Sequence, residues 1–228
     1  MKRGALYICY GDKYIQEGII SAESLKKFHP DLHITFLSDK AFLSKFVDNV
    51  EIIKPKAKRP KVEHIKQSPY EETLFLDVDT VIDSPIDDIF KLLSKFDMAI
   101  CDDTCRKRPK YSKIMTEYKN IPYGFSELNT GVICFKKTES IDNLFSLWRA
   151  YYKKYNNKCP WDQPSFRISL WESDVKFHVL PREYNVRSKQ NKLKNKGFLH
   201  DPKVYHMHHG ENNLNSALDY CKLNFSTH

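Results

Sequence analysis

The chain has 228 residues, a formal net charge of +8 and six cysteines, enough for one sizeable α/β domain, residues 1–228, with no Gly/Ser-rich linker dividing it. No apolar run approaches the ~20 residues of a membrane span, and the apolar stretch near Met1 is too short for a signal peptide. The cysteines are scattered, and Cys101 and Cys105 lack the second pair a zinc site needs, so a cytoplasmic, reducing location is expected.

The positive charge is clustered at residues 54–61, 106–110 and 189–196. Such runs form solvated faces or attract phosphate-bearing ligands. Without a recognition-helix pattern, zinc finger or ribonucleoprotein aromatic motif, no nucleic-acid partner is expected.

Residues 6–10 read as a first strand. After Gly11-Asp12, the apolar residues Ile15, Ile19, Ile20, Leu25 and Phe28 fall at helical spacing until Pro30 stops the helix. Residues 33–37 form a second strand, Ser38-Asp39 open a short helix to Phe46, and residues 50–53 return to strand. The basic stretch leads into a helix ending near Gln67. Strands follow at 73–82, 98–101, 130–135, 176–180 and 203–206, with helices at 86–96, 141–155 and 164–171. Residues 102–121 look irregular, basic and lid-like. Strands and helices alternating at this rhythm indicate a mostly parallel central sheet with helices on both faces.

The segment TLFLDVDTVI, residues 73–82, carries the most information. Its apolar run marks a buried strand, and the carboxyl ends of parallel strands are where such folds bind ligands. Asp77 and Asp79 stand two apart, so on an extended backbone they point the same way. Two close carboxylates raise each other's pKa unless a cation separates them, and hard oxygen donors suit Mg2+ or Mn2+. Asp87 and Asp88 read instead as helix caps.

Taken in order, these motifs resemble the GT-A glycosyltransferases, a Rossmann-like fold, and within them the retaining group that includes glycogenin and the lipopolysaccharide galactosyltransferases. Tyr10, Gly11, Asp12 and Tyr14, with Gly18 ahead of Ser21 and Leu25, resemble the opening nucleotide-binding segment. Lys61 matches a lysine facing the donor sugar-phosphate. Asp77-Val78-Asp79 matches the metal-binding DxD motif, and the run from Ser84 to Phe90 its usual continuation. Asn129-Thr130-Gly131-Val132 resembles a strand start near the sugar, Asp162-Gln163 the Asp-Gln pair beside the anomeric carbon, and Leu180-Pro181 with Tyr184-Asn185 the segment after it. Val204-Tyr205-His206 resembles the late strand bearing a third metal ligand. The family's closing Lys-Pro-Trp is absent, which leaves the imidazole ligand open between His206 and His208. It also passes the pyrophosphate role to Arg106, Arg108, Arg187 or the basic tail. In its short length the chain is similar to small members encoded by large algal viruses.

The resemblance implies a metal-dependent glycosyltransferase using Mn2+ or Mg2+. It would move a sugar from a nucleoside-diphosphate donor, a UDP-sugar, to a glycan or protein acceptor with retention. Asp162 would be a nucleophile or an orienting group, with Gln163 and Asn129 beside the sugar. Asp162 also reads as a helix N-cap ahead of Pro164, and Trp161 and Tyr123 as either an acceptor groove or core. A rival reading takes LFLDVDTV as the first motif of haloacid-dehalogenase-type phosphatases, with Asp77 as the nucleophile. That motif belongs to the first strand of its sheet, whereas here other strands come before it. A sugar-1-phosphate nucleotidyltransferase is disfavoured for want of a glycine-rich N-terminal loop in a chain with 7 glycines.

Overall fold

The computed structural model describes residues 2–54, 58–103, 105–187 and 201–207. Its strands are β1 (Arg3–Cys9), β2 (Ile34–Ser38), β3 (Asn49–Ile52), β4 (Glu72–Leu76), β5 (Thr80–Ile82), β6 (Met98–Asp102), β7 (Leu128–Lys136), β8 (Phe177–Leu180), β9 (Val186–Arg187) and β10 (Val204–His206). The α-helices are α1 (Asp12–Phe28), α2 (Pro60–His64), α3 (Asp88–Lys91), α4 (Pro109–Ser112), α5 (Thr116–Asn120), α6 (Glu139–Tyr155) and α7 (Gln163–Trp171).

Seven of these strands form one sheet in the order β3-β2-β1-β4-β7-β6-β8. Pairings are parallel except those of β7, which runs antiparallel to both β4 and β6. Asp77, which follows β4, therefore meets the start of β7, and its N–H donates to the Gly131 carbonyl at 2.8 Å. A smaller sheet, β5-β10-β9, stands beside this end.

The sheet strands are apolar on both faces because both are covered. Ala5, Tyr7, Leu74, Leu76, Val132 and Cys134 pack with Ile15, Ala22 and Leu25 of α1 and Ile89 and Phe90 of α3. The alternate residues Leu6, Ile8, Phe75, Ile133 and Phe135 pack with Val62 of α2, Leu144, Phe145 and Trp148 of α6, and Phe166 of α7. This is the period-2 pattern of a sheet sandwiched by helices. Thr138 caps α6, its hydroxyl accepting from the Ile141 N–H at 3.3 Å.

Three sequence expectations are corrected. Residues 73–82 are two strands in two sheets, broken by a turn in which Thr80 N–H donates to the Asp77 carbonyl at 3.2 Å. No helix forms between Ser38 and Phe46. There Asp39 accepts the Gly11 N–H at 2.8 Å, while Phe42 and Phe46, whose spacing mimics a helix, pack against the core from a loop. Residues 105–121 are not irregular throughout, since α4 and α5 form there and Tyr111, Met115, Tyr118 and Ile121 make a cluster with Cys159 and Ile168. The buried Arg167 guanidinium underlies it, donating to the Pro122 and Phe125 carbonyls and lying 4.7 Å from the Tyr118 ring.

Candidate active site

At the carboxyl end of β4 the chain turns sharply instead of running on extended, and the turn is fixed by hydroxyls. Thr80 Oγ1 donates to the Asp77 carbonyl at 2.8 Å, so it accepts from Ser21 Oγ at 2.9 Å. Ser21 in turn accepts from the Tyr7 hydroxyl at 2.9 Å. One helical turn away, Ser24 Oγ accepts the Ile82 N–H at 3.0 Å. Gly18, on the same helix, leaves room for Val78, since a Cβ there would lie 3.2 Å from Val78 Cγ1 and 2.7 Å from the Phe36 ring.

This turn brings the two aspartates to a histidine. His206 Nε2 lies 3.3 Å from Asp79 Oδ1 and 3.7 Å from Asp77 Oδ2. One ligand atom from each of Asp77, Asp79 and His206 falls within 4.8 Å of the others. The imidazole is set from behind: Asn129 Oδ1 accepts from the Gly131 N–H at 2.9 Å and from Asn185 Nδ2 at 2.8 Å. With its nitrogen thus engaged, Asn185 presents its oxygen to His206 Nδ1 at 2.9 Å. Nδ1 therefore carries a proton and Nε2 is the ring nitrogen turned to the carboxylates, the arrangement a metal-binding histidine requires. Gly131 has no side chain because the ring occupies that space, and a Cβ there would lie 2.2 Å from His206 Cε1. Two carboxylates and one imidazole nitrogen fit Mg2+ or Mn2+. His208 lies outside the described residues.

Lys61 joins this triad to Asp162. Its ammonium is 3.0 Å from both Asp77 oxygens, 3.1 Å from the Thr130 carbonyl and 3.2 Å from Asp162 Oδ2. Burial acts to lower the Lys61 pKa, but Asp162 and Asp77 outweigh it and hold it raised. Burial pushes the Asp77 carboxyl above the usual carboxylate range against the pull of Lys61 and His206. Asp162 is buried too, yet Lys61, Arg59 and the Thr130 hydroxyl, which donates at 2.9 Å, hold it below that range. Its side chain makes no capping hydrogen bond to α7 and faces Lys61, Arg59 and Thr130.

The Gln163 amide nitrogen is engaged by a second cluster, donating to Asp103 Oδ2 at 3.0 Å and Glu127 Oε1 at 3.2 Å. Asp103 also pairs with Arg108 and Arg187, each at 2.9 Å, and Glu127 accepts from the Tyr118 hydroxyl. Burial opposes ionisation of both acids. In Asp103 the Cys105 N–H, Gln163 and the two arginines win and lower its pKa, whereas Glu127 stays raised. Arg108 and Arg187, candidates for a pyrophosphate role, are thus engaged by Asp103, and Arg106 donates to Ser126 at 3.0 Å.

The opening segment lies at the same end of the sheet. Gly11, with φ of 86°, makes the turn from β1 into α1. Tyr10 sets its ring edgewise to His64 at 6.1 Å, Tyr14 is exposed, and Asp12 pairs with Lys40 at 2.7 Å on the surface. Among the described residues Asn129 is linked to the triad through its hydrogen bonds with Asn185 and Gly131. Sequence reasoning gave no role to Asn185, Thr130, Arg59, Asp103 or Glu127. Asn185 and Thr130 lay within matched motifs, Arg59 within the basic run 54–61, and Asp103 just beyond the carboxyl end of β6 was a further signal.

No protein-family model matches the sequence, and comparison with curated proteins finds no match. Solved structures do match. A galactosyltransferase, LgtC, in complex with donor and acceptor sugar analogues superposes with a TM-score of 0.69 at 12% identity, over 97% of this chain and 95% of that one. The chain has the GT-A fold. Mouse xyloside xylosyltransferase 1 gives a TM-score of 0.59 at 15% identity, over 94% of this chain and 99% of that one. The bifunctional glycosyltransferase WbbM gives 0.68 at 15% identity, over 93% of this chain but 46% of that one. The phosphatase reading gains no support, because β4 follows three other strands and lies between β1 and the antiparallel β7. No helix among the described residues is long and apolar enough to cross a membrane.

Proposed function

We propose that the chain is a single catalytic domain, a metal-dependent glycosyltransferase that moves a sugar from a nucleoside-diphosphate donor to a glycan or protein acceptor. The observation that carries this reading is the Asp77, Asp79 and His206 triad, with Nε2 presented to the carboxylates, at the ligand-binding end of a GT-A sheet. Asp77, Asp79 and His206 would hold Mn2+ or Mg2+, which as a Lewis acid neutralises charge developing on a departing diphosphate. UDP as the nucleotide and retention of configuration rest on the resemblance carried by residues 10–14 and by Asp162-Gln163. Buried cysteines without disulfides at positions 9, 101, 134 and 159 support a cytoplasmic setting.

The chain's own groups account for the rest. Tyr10, Gly11, Asp12 and Tyr14 flank the donor side. Lys61 adds positive charge beside the triad, where a leaving diphosphate gains negative charge. The Asp162 carboxylate, held ionised by Lys61 and Arg59, is suited to stabilise positive charge on the sugar carbon. Gln163, which bridges the buried Asp103 and Glu127, would stand on the sugar side, braced by these two acids.

Calorimetric titration with UDP and GDP, each with Mn2+ and with EDTA, on the wild-type protein and on Asp79→Ala tests this. Metal-dependent binding of one nucleotide, lost in the variant, is expected. Binding that ignores both EDTA and the substitution would overturn the metal-dependent donor site.

A further inference from the structure

Trp161 immediately precedes the buried Asp162, yet it is 49% exposed. Two cations converge on its ring: the Arg59 guanidinium carbon at 5.3 Å from the centroid and Lys110 Nζ at 5.8 Å. Each cation–π contact is worth ~0.5–1 kcal/mol at an exposed site, but two cations gathered on one ring also repel each other. Their local carboxylate does not balance them. Arg59 Nε lies 3.7 Å from Asp162 Oδ1, and Asp162 is already held by Lys61 and Thr130. Lys110 makes no ion pair among the described residues; its ammonium lies 4.8 Å from the Tyr111 ring.

The rim of the candidate site thus offers an open apolar indole beside a surplus of positive charge, directly before the residue placed at the sugar carbon. The geometry points to an acceptor whose sugar ring carries an anionic group, a carboxylate or a phosphate, with the ring against Trp161 and the anion at Arg59 and Lys110. This rests on the glycosyltransferase reading and specifies its acceptor. An aromatic surface supplies contact area to a sugar ring at low entropic cost, and two surface cations supply about tenfold in affinity for an anion over a neutral analogue. Because the charges are exposed, that preference is screened by salt.

NMR-detected titrations of the full chain with methyl glucoside, methyl glucuronide, methyl glucoside 6-phosphate and inorganic phosphate test the assignment. At low salt the two anionic glycosides should bind about tenfold more tightly than methyl glucoside, with the advantage shrinking at high salt. Lys110→Gln should narrow the gap severalfold and Trp161→Ala should weaken all three glycosides. The tighter of the two anionic glycosides identifies the anion as carboxylate or phosphate. Equal binding of neutral and anionic glycosides, absence of glycoside binding, or inorganic phosphate matching the glycosides would overturn the proposal. Mn2+-dependent UDP binding by the wild-type protein reports the parent reading separately. If UDP binds and the glycosides are not discriminated, only the acceptor assignment falls. If the anionic glycosides are preferred and UDP does not bind, the donor reading falls and the anion site stands.

Discussion

Asn185 Oδ1 lies 2.9 Å from His206 Nδ1, and this one contact decides which ring nitrogen faces the two aspartates. The amide is itself oriented by donating to Asn129 Oδ1 at 2.8 Å, so a chain of hydrogen bonds running back to the Gly131 N–H sets the tautomer of a histidine. A metal ligand is only as good as the group that holds its other nitrogen.

Replacing Asn185 with Leu removes that hold at similar size while leaving all three candidate ligands in place. Mn2+ affinity, measured by titration in the absence of nucleotide, should fall by ~10–100-fold. Asn185→Asp, which still accepts from Nδ1–H, should retain more of it. Equal affinities for wild type and Asn185→Leu would show that the Asn185 contact does not support metal binding.

Gly131→Ala tests the same ring by displacement. A Cβ at this position would sit 2.2 Å from His206 Cε1 and 2.6 Å from Nδ1, so the imidazole must leave its place between Asn185 and the aspartates. Overpacking of this kind costs ~1–3 kcal/mol. Urea unfolding in EDTA should show a loss of that order, and Mn2+ should restore less stability to the variant than to the wild type.

Much of this arrangement was legible in the chain, for identifiable reasons. The strands read correctly because burial on both faces leaves a continuous apolar run, and the helix between Gly11 and Pro30 because its apolar residues recur at helical spacing. Asp77 and Asp79 stood out because they interrupt such a strand. Their convergence was inferred from an extended backbone, and it arises from a turn braced by Ser21 and Thr80. Ser38-Asp39 misled as a helix start because the Asp39 carboxylate accepts the distant Gly11 N–H instead of opening a helix, and Phe42 and Phe46 pack on the core from a loop. Tyr111, Met115 and Tyr118 do recur at helical spacing, but the intervening Lys113, Thr116 and Glu117 dilute the pattern, and the cluster is completed by Cys159 and by Ile168 of α7. The pairs Asn185–His206 and Asp103–Arg187 are tertiary contacts between segments far apart in sequence, so no local pattern announces them.

Asp103 gives the protein a defined sensitivity to acid. Its carboxyl ionises more readily in the folded chain than in the unfolded one, because the Cys105 N–H, Gln163, Arg187 and Arg108 outweigh burial. Ionisation therefore favours folding. That contribution is complete above the unfolded value of ~3.9 and is lost as pH falls through the lower folded value. Asp103→Asn leaves two arginines without their shared partner and should cost ~3–5 kcal/mol near neutral pH. The gap between variant and wild type should close as pH is lowered below about 4, as measured by urea unfolding across the range. A gap that widened in acid would reverse the assigned sign.

Lys61 separates the needs of the metal from those of the donor. Its ammonium now supplies the positive charge between Asp77 and Asp162, at 3.0 and 3.2 Å. Removing it leaves buried carboxylates whose remaining cation is Arg59, 3.7 Å from Asp162. Lys61→Ala should therefore lose ~3–5 kcal/mol of stability in EDTA. The same change removes a like charge from beside the triad, so free Mn2+ should bind more tightly and raise the unfolding midpoint further than in the wild type. A nucleoside diphosphate loses an electrostatic partner at that position, so its affinity in saturating Mn2+ should fall. Opposite signs for metal and nucleotide are the distinguishing result. If both affinities fell together, Lys61 would be holding the site's shape; if neither moved, its charge would lie outside the donor's reach.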